Sequence, residues 1–166
     1  MELVLTSPEA TRALGERLAH LLQAGDLVLV HGELGAGKTT LTQGIGAGLG
    51  VRGHVASPTF IIARTHRATG DRPGLVHVDA YRLRSLDELE ALDLDTSLDA
   101  SVTVVEWGQG LAEVLSEDRL EVSITRPHGG LTDVAGLVDD GARQVRVVAH
   151  GPRWRGVDLE VLRGDS

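Results

Sequence analysis

The hydrophobic positions of this chain change period along its length. Residues 8–23 place Ala10, Leu14, Leu18, Leu21 and Leu22 on one stripe at helical spacing, with Thr6 or Ser7 available as a cap and Pro8 in the first turn. The run "DLVLVHG" (26–32) is apolar, short and ended by glycine, which predicts a buried strand, and "KTTLTQGIGAGLG" predicts a helix after it. A β-branched stretch, "PTFIIARTHR" (58–67), a turn over 68–74 and "LVHVDAYRL" (75–83) predict an out-and-back strand pair. "SLDELEALDL" carries a capping-box pattern from Ser85 to Glu88. Further strands are predicted over 100–107 and 118–124, with a helix over "GQGLAEVL" between them. "ARQVRVVAH" (142–150) alternates like an edge strand, and "RWRGVDLEVLR" predicts a closing helix. No element is assigned to 126–141. Strands alternating with helices imply one α/β domain over 1–166 with a mixed, partly parallel sheet.

Composition narrows the chemistry. Apolar residues are 42% and charged residues 24%, while aromatics are only 2%, so the core must be built from Leu, Val, Ile and Ala. The absence of cysteine excludes disulfides, thiolate-bound metal and thiol nucleophiles. The seven histidines show no H-x-H or H-x-x-x-H spacing, which argues against zinc. The N-terminus lacks a basic segment followed by an apolar one, and no run approaches a membrane span, so a cytoplasmic protein is expected. A net charge of −8 argues against coating nucleic acid by charge alone. One cation stands out: Lys38 is the single lysine among 16 Lys and Arg residues.

That lysine lies in Gly32-Glu33-Leu34-Gly35-Ala36-Gly37-Lys38-Thr39, which matches G-x-x-x-x-G-K-[ST] between a predicted strand and a predicted helix. Gly35 and Gly37 permit backbone conformations that let several N–H groups face one phosphate, and the helix adds its positive end. Lys38 offers a compact charge on a flexible stem where arginine's planar fork fits poorly. The Thr39 hydroxyl is the expected Mg²⁺ ligand. The fold expected around this loop is a three-layer P-loop NTPase-like domain. Two apolar runs end in an acid, giving Asp79 and Glu106, and either could face the phosphates beyond the carboxyl ends of parallel strands. One carboxylate would serve the metal and another group would orient water; spacing alone leaves the assignment open. Guanine-specific P-loop GTPases typically carry [NT]-K-x-D, which needs a second lysine, so adenine is favoured over guanine.

"GELGAGKTTL", "SPTF", "HVDAYRL" and "VEWG", in this order, resemble the TsaE (YjeE) family of bacterial ATPases from the first helix to about residue 125. The resemblance implies a Mg²⁺-dependent ATP-binding protein and weak ATPase required for threonylcarbamoyladenosine in tRNA, working with TsaB and TsaD, where TsaD performs the transfer. It implies that Thr39 and Glu106 ligate Mg²⁺, that Asp79 stands near the γ-phosphate and water, and that Ser57, Pro58 and Thr59 form a switch-like loop sensing that phosphate. Glu33 to Thr40 would contact the nucleotide, with Thr40 on the α-phosphate side; Lys38, Asp79, Glu106 and Thr59 would form the catalytic set. Trp107 matches the family's "EW" motif, with a core plug as its local alternative. Residues 6–11 and the segment near Arg126 would line adenine. Gln109 departs from an acid in many relatives, and 126–141 does not map cleanly.

Other features have plain readings. Residues 85–99 hold six acids and no base, as a solvated face would. Arg64, Arg67, Arg72, Arg82 and Arg84 could meet tRNA or a partner, and Arg143, Arg146, Arg153 and Arg155 make the tail locally basic, with solubility as the default explanation. Two further function classes fit the same loop: a small-molecule kinase, and a nucleotide-gated binding module with negligible hydrolysis.

Overall fold

A computed structural model of the chain describes residues 1–33, 35–53, 55, 63–80, 87, 99–106, 116–126 and 142–164. Among the described residues the strands are β1 (Glu2–Leu5), β2 (Leu27–Gly32), β3 (Ala63–His66), β4 (Gly74–Asp79), β5 (Ser101–Glu106), β6 (Arg119–Thr125) and β7 (Arg143–His150). They form one sheet in the order β1-β7-β6-β2-β5-β4-β3. β2 runs parallel to both β5 and β6, and β4 runs parallel to β5. β7 pairs antiparallel with β6 and with β1, and β3 pairs antiparallel with β4. The sheet is therefore mixed and partly parallel, as the alternation of elements predicted.

The parallel centre explains the continuous apolar runs in β2, β4 and β5, because strands covered on both faces bury every side chain. On one face Val28, Val30, Leu75, Val102, Val104, Leu120, Val122, Ile124, Val145 and Val147 join a single core cluster. Against it pack α1 (Pro8–Leu21) and α2 (Lys38–Leu49), through Leu14, Leu18, Leu22, Leu41, Ile45 and Leu49. On the other face Leu27, Leu29, Val76, Val78 and Val105 are buried as well. Ser7 caps α1 by accepting from Ala10 N at 3.1 Å, with Pro8 opening the helix.

Three expectations are corrected. β7 is not an edge strand, because Glu2–Leu5 adds outside it as β1, a strand too short to show periodicity; Val4, 63% exposed, marks the true edge. The segment 153–163 does not form one closing helix. It makes two 3₁₀ turns, Pro152–Trp154 and Leu159–Arg163, because Gly156 takes a left-handed φ of +77° between them and Trp154 and Leu162 are each drawn into the core. The basic tail is not merely solubilising. Arg153 donates to both carboxylate oxygens of buried Asp26 and to Leu21 O, each at 3.0 Å, and Arg143 is buried. The helices predicted over 85–94 and 108–115 lie outside the described residues.

Candidate functional site

The parallel strands β2, β4 and β5 end at one edge of the sheet, where open α/β sheets place their ligands. β2 stops at Gly32, where a Cβ would meet Ile124 O of β6 at 2.8 Å. The chain then turns, with Ala36 N donating to Glu33 O at 3.0 Å, and enters α2 through Gly35 (φ +75°) and Gly37 (φ +110°). Side chains rarely adopt those angles, so the two glycines make the turn sterically possible. Gly37 occupies the N-cap position without a side-chain cap, which leaves the positive end of α2 open toward the loop.

Lys38 sits at that helix start, 6% exposed, although a cation there opposes the helix dipole. Its Nζ donates to Gly32 O and Glu33 O, both at 2.9 Å, so the ammonium folds back on its own loop. Burial lowers its pKa from 10.5, and the charges of Glu106 and Asp79 partly offset that. Those two acids end neighbouring strands in register, Asp79 of β4 opposite Glu106 of β5. By strand alternation they share the sheet face that carries α2. Glu106 is 2% exposed. Its Oε1 lies 3.4 Å from the Thr39 hydroxyl, 3.4 Å from the Thr42 hydroxyl and 3.1 Å from His77 Nε2. Thr42 donates at a shorter 2.9 Å to Lys38 O, so its contact with Glu106 is secondary.

The structure thus brings together Glu33, Gly35, Ala36, Gly37, Lys38, Thr39, Asp79 and Glu106, with Thr40 a residue further along α2 and lining a small cavity beside the loop. Leu34, Ser57, Pro58, Thr59, Trp107 and Gln109 lie outside the described residues. Thr11 and Pro8, from the N-terminal region expected near a base, line that same cavity of about 110 Å³ together with Arg143. Sequence reasoning missed His77, Thr42 and Arg143. The signal for His77 was its parity with Asp79 in "LVHVD", and for Arg143 its parity with Val145 and Val147.

Chemically, the loop sets the buried ammonium of Lys38 beside two carboxylates, with the buried guanidinium of Arg143 on its carbonyls. The Thr39 hydroxyl and Glu106 carboxylate are hard oxygen donors and suit Mg²⁺, which is ordinarily held by one or two side chains plus phosphate oxygens and water. Among the described residues no group of three or more His, Asp or Glu is placed to hold a metal ion.

The family model for "Threonylcarbamoyl adenosine biosynthesis protein TsaE" matches residues 5–131. The chain belongs to the TsaE family. Among curated relatives, the Streptomyces coelicolor tRNA threonylcarbamoyladenosine biosynthesis protein TsaE is 60% identical over 154 residues, covering 92% of this chain and 99% of that one. The Bacillus subtilis protein of the same name is 37% identical over 161 residues, covering 96% and 92%. Among solved structures, the crystal structure of Bacillus subtilis YdiB matches with a TM-score of 0.67 and 30% identity, covering 98% of this chain and 90% of that one. No described helix is long and apolar enough to cross a membrane.

Proposed function

We propose that this member of the TsaE family takes part in threonylcarbamoyladenosine modification of tRNA as a Mg²⁺-dependent ATP-binding protein and weak ATPase, acting on a TsaB–TsaD complex in the cytoplasm. The observation that carries the nucleotide reading is Lys38: a buried ammonium at a helix start, in a two-glycine turn, facing two carboxylates. The placement opposes the helix dipole and loses hydration, and a bound polyphosphate would offset both costs. The names of the relatives support the tRNA reading.

In this reading the polyphosphate displaces the Gly32 and Glu33 carbonyls as partner of Lys38. Thr39 and Glu106 would hold Mg²⁺, which would neutralise phosphate charge. Asp79 accepts a hydrogen bond from the attacking water and orients it. Arg126 and Arg143 donate to carbonyls of the loop; in this reading a partner completes the transition-state charge, and turnover alone is slow.

Phosphate release from Mg²⁺–ATP by the purified protein, alone and with TsaB, TsaD and tRNA, tests the proposal. Slow release alone and stimulation by the assembly are expected, and Lys38→Ala should weaken ATP binding at least about tenfold in a calorimetric titration. Unaltered ATP affinity in Lys38→Ala would defeat the phosphate site. ATP consumption that requires one added metabolite would favour a kinase, and tight binding without release in the full assembly would favour a nucleotide-gated binder.

A further inference from the structure

Arg143, the first residue of β7, lies beyond residue 131, where the family match ends. Its side chain is buried against the loop. Nε donates to Ala36 O at 3.0 Å, Nη2 reaches Gly35 O at 3.5 Å, and Nη1 donates to Ala142 O at 2.8 Å. From the end of β6, Arg126 Nη2 donates to the same Gly35 O at 3.0 Å. Two arginines from the antiparallel end of the sheet therefore grip two consecutive carbonyls of the Gly35-Ala36-Gly37 turn.

A trans peptide points its C=O and N–H in opposite directions. Fixing the Ala36 carbonyl toward Arg143 aims the Gly37 N–H away from the guanidinium. Fixing the Gly35 carbonyl holds the plane whose N–H, that of Ala36, closes the turn on Glu33 O. The loop does not impose these orientations by itself. Glycine at 35 and 37 makes its peptide planes soft, and a flipped plane would present a carbonyl oxygen to an incoming anion. An outside donor with fixed geometry removes that freedom, and a guanidinium supplies two parallel N–H groups where an ammonium supplies a point charge.

We propose that Arg143 is a positioning residue for the phosphate site: through the Gly35 and Ala36 carbonyls it holds the loop in its anion-binding form before any ligand arrives. The inference rests on the phosphate-site reading of the loop. It makes affinity for phosphate depend on the C-terminal strand, in a part of the chain that carries none of the motif.

Calorimetric titration of the full chain with Mg²⁺–ATP and, separately, with tripolyphosphate tests it in wild type, Arg143→Met and Arg143→Lys. Arg143→Met should weaken both ligands by the same factor, roughly tenfold for the loss of charge-assisted bonds, and speed hydrogen exchange of the Gly37 amide. Arg143→Lys should recover part of the affinity, since one ammonium can serve one carbonyl. Unchanged affinity for both ligands in Arg143→Met would overturn the proposal. A loss for ATP with none for tripolyphosphate would overturn it too, because the guanidinium would then be touching the nucleoside. If Arg143→Met does not fold, Arg143→Lys decides: wild-type affinity together with wild-type exchange at Gly37 would overturn it. Wild-type protein that binds neither ligand would remove the phosphate site itself and this proposal with it.

Discussion

His66 shows what burial does to one titrating side chain. It is 5% exposed on β3, and its Nδ1 lies 3.2 Å from Arg52 O; because a carbonyl only accepts, Nδ1 carries the proton of the neutral ring. Burial lowers its pKa below 6.5, the Arg52 carbonyl opposes that shift, and the charges of His77 and Arg64 reinforce it. The folded state therefore resists protonation more than the unfolded chain does. Stability is complete above pH 6.5 and falls as pH drops from there through the folded value. His66→Gln, which keeps a donor for the carbonyl, should flatten the fall in melting temperature between about pH 7.5 and about pH 5.5; thermal melts across that range check it, and an unchanged slope would place the acid sensitivity elsewhere. At this scale the sequence showed which residues were chemically unusual, such as Lys38 alone among arginines. Beyond the Thr39–Glu106 pair that the resemblance implied, it did not show their partners: Thr42 and His77 also meet Glu106 Oε1, because two strands and a helix converge there.

At the scale of elements, α1 and α2 cross at backbone contact. A Cβ on Gly15 would lie 2.3 Å from Leu41 O, and one on Gly44 would lie 2.1 Å from Arg12 O and 2.9 Å from Arg12 C. Neither obstacle is a movable side-chain tip. Gly44→Ala gains about 1 kcal/mol of helix propensity, yet it must push two helices apart. We expect a net loss of about 3 kcal/mol, read as a lower urea midpoint at unchanged slope. The leucine stripe of α1 was legible because an amphipathic helix repeats its apolar face. The glycines of "QGIGAGLG" look like poor helix formers when read alone. The reason for Gly44 and Gly48 appears only when α1 is laid against them, the two standing one turn apart on the contact face.

Across the whole molecule, the two ends of the chain are tied into the same body. The N-terminal ammonium of Met1 donates to Val147 O at 3.0 Å, and Arg17 of α1 donates to Leu162 O at 2.8 Å. Arg153 grips Asp26 at the entrance to β2, where Asp26 is 5% exposed and also accepts from Gln23 N at 2.7 Å. Removing the guanidinium would leave that carboxylate buried against fewer donors. Arg153→Ala should cost about 2–3 kcal/mol in denaturant unfolding, and the double variant with Asp26→Asn should lose less than the sum of the two singles. A purely additive pair would show that the contact contributes nothing.

The sequence by itself determined the strands of the parallel centre, the first helix, the glycine-lysine turn and the two acids at strand ends. Each is a local matter: apolar period, turn chemistry and a motif contained in eight consecutive residues. Tertiary structure alone decided that Glu2–Leu5 is the sheet edge, that the tail bends into two 3₁₀ turns, and that Arg143, 107 positions from Ala36, holds its carbonyl. Those outcomes depend on which strands become neighbours, and strand order is set by the packing of the whole core, which no local period records.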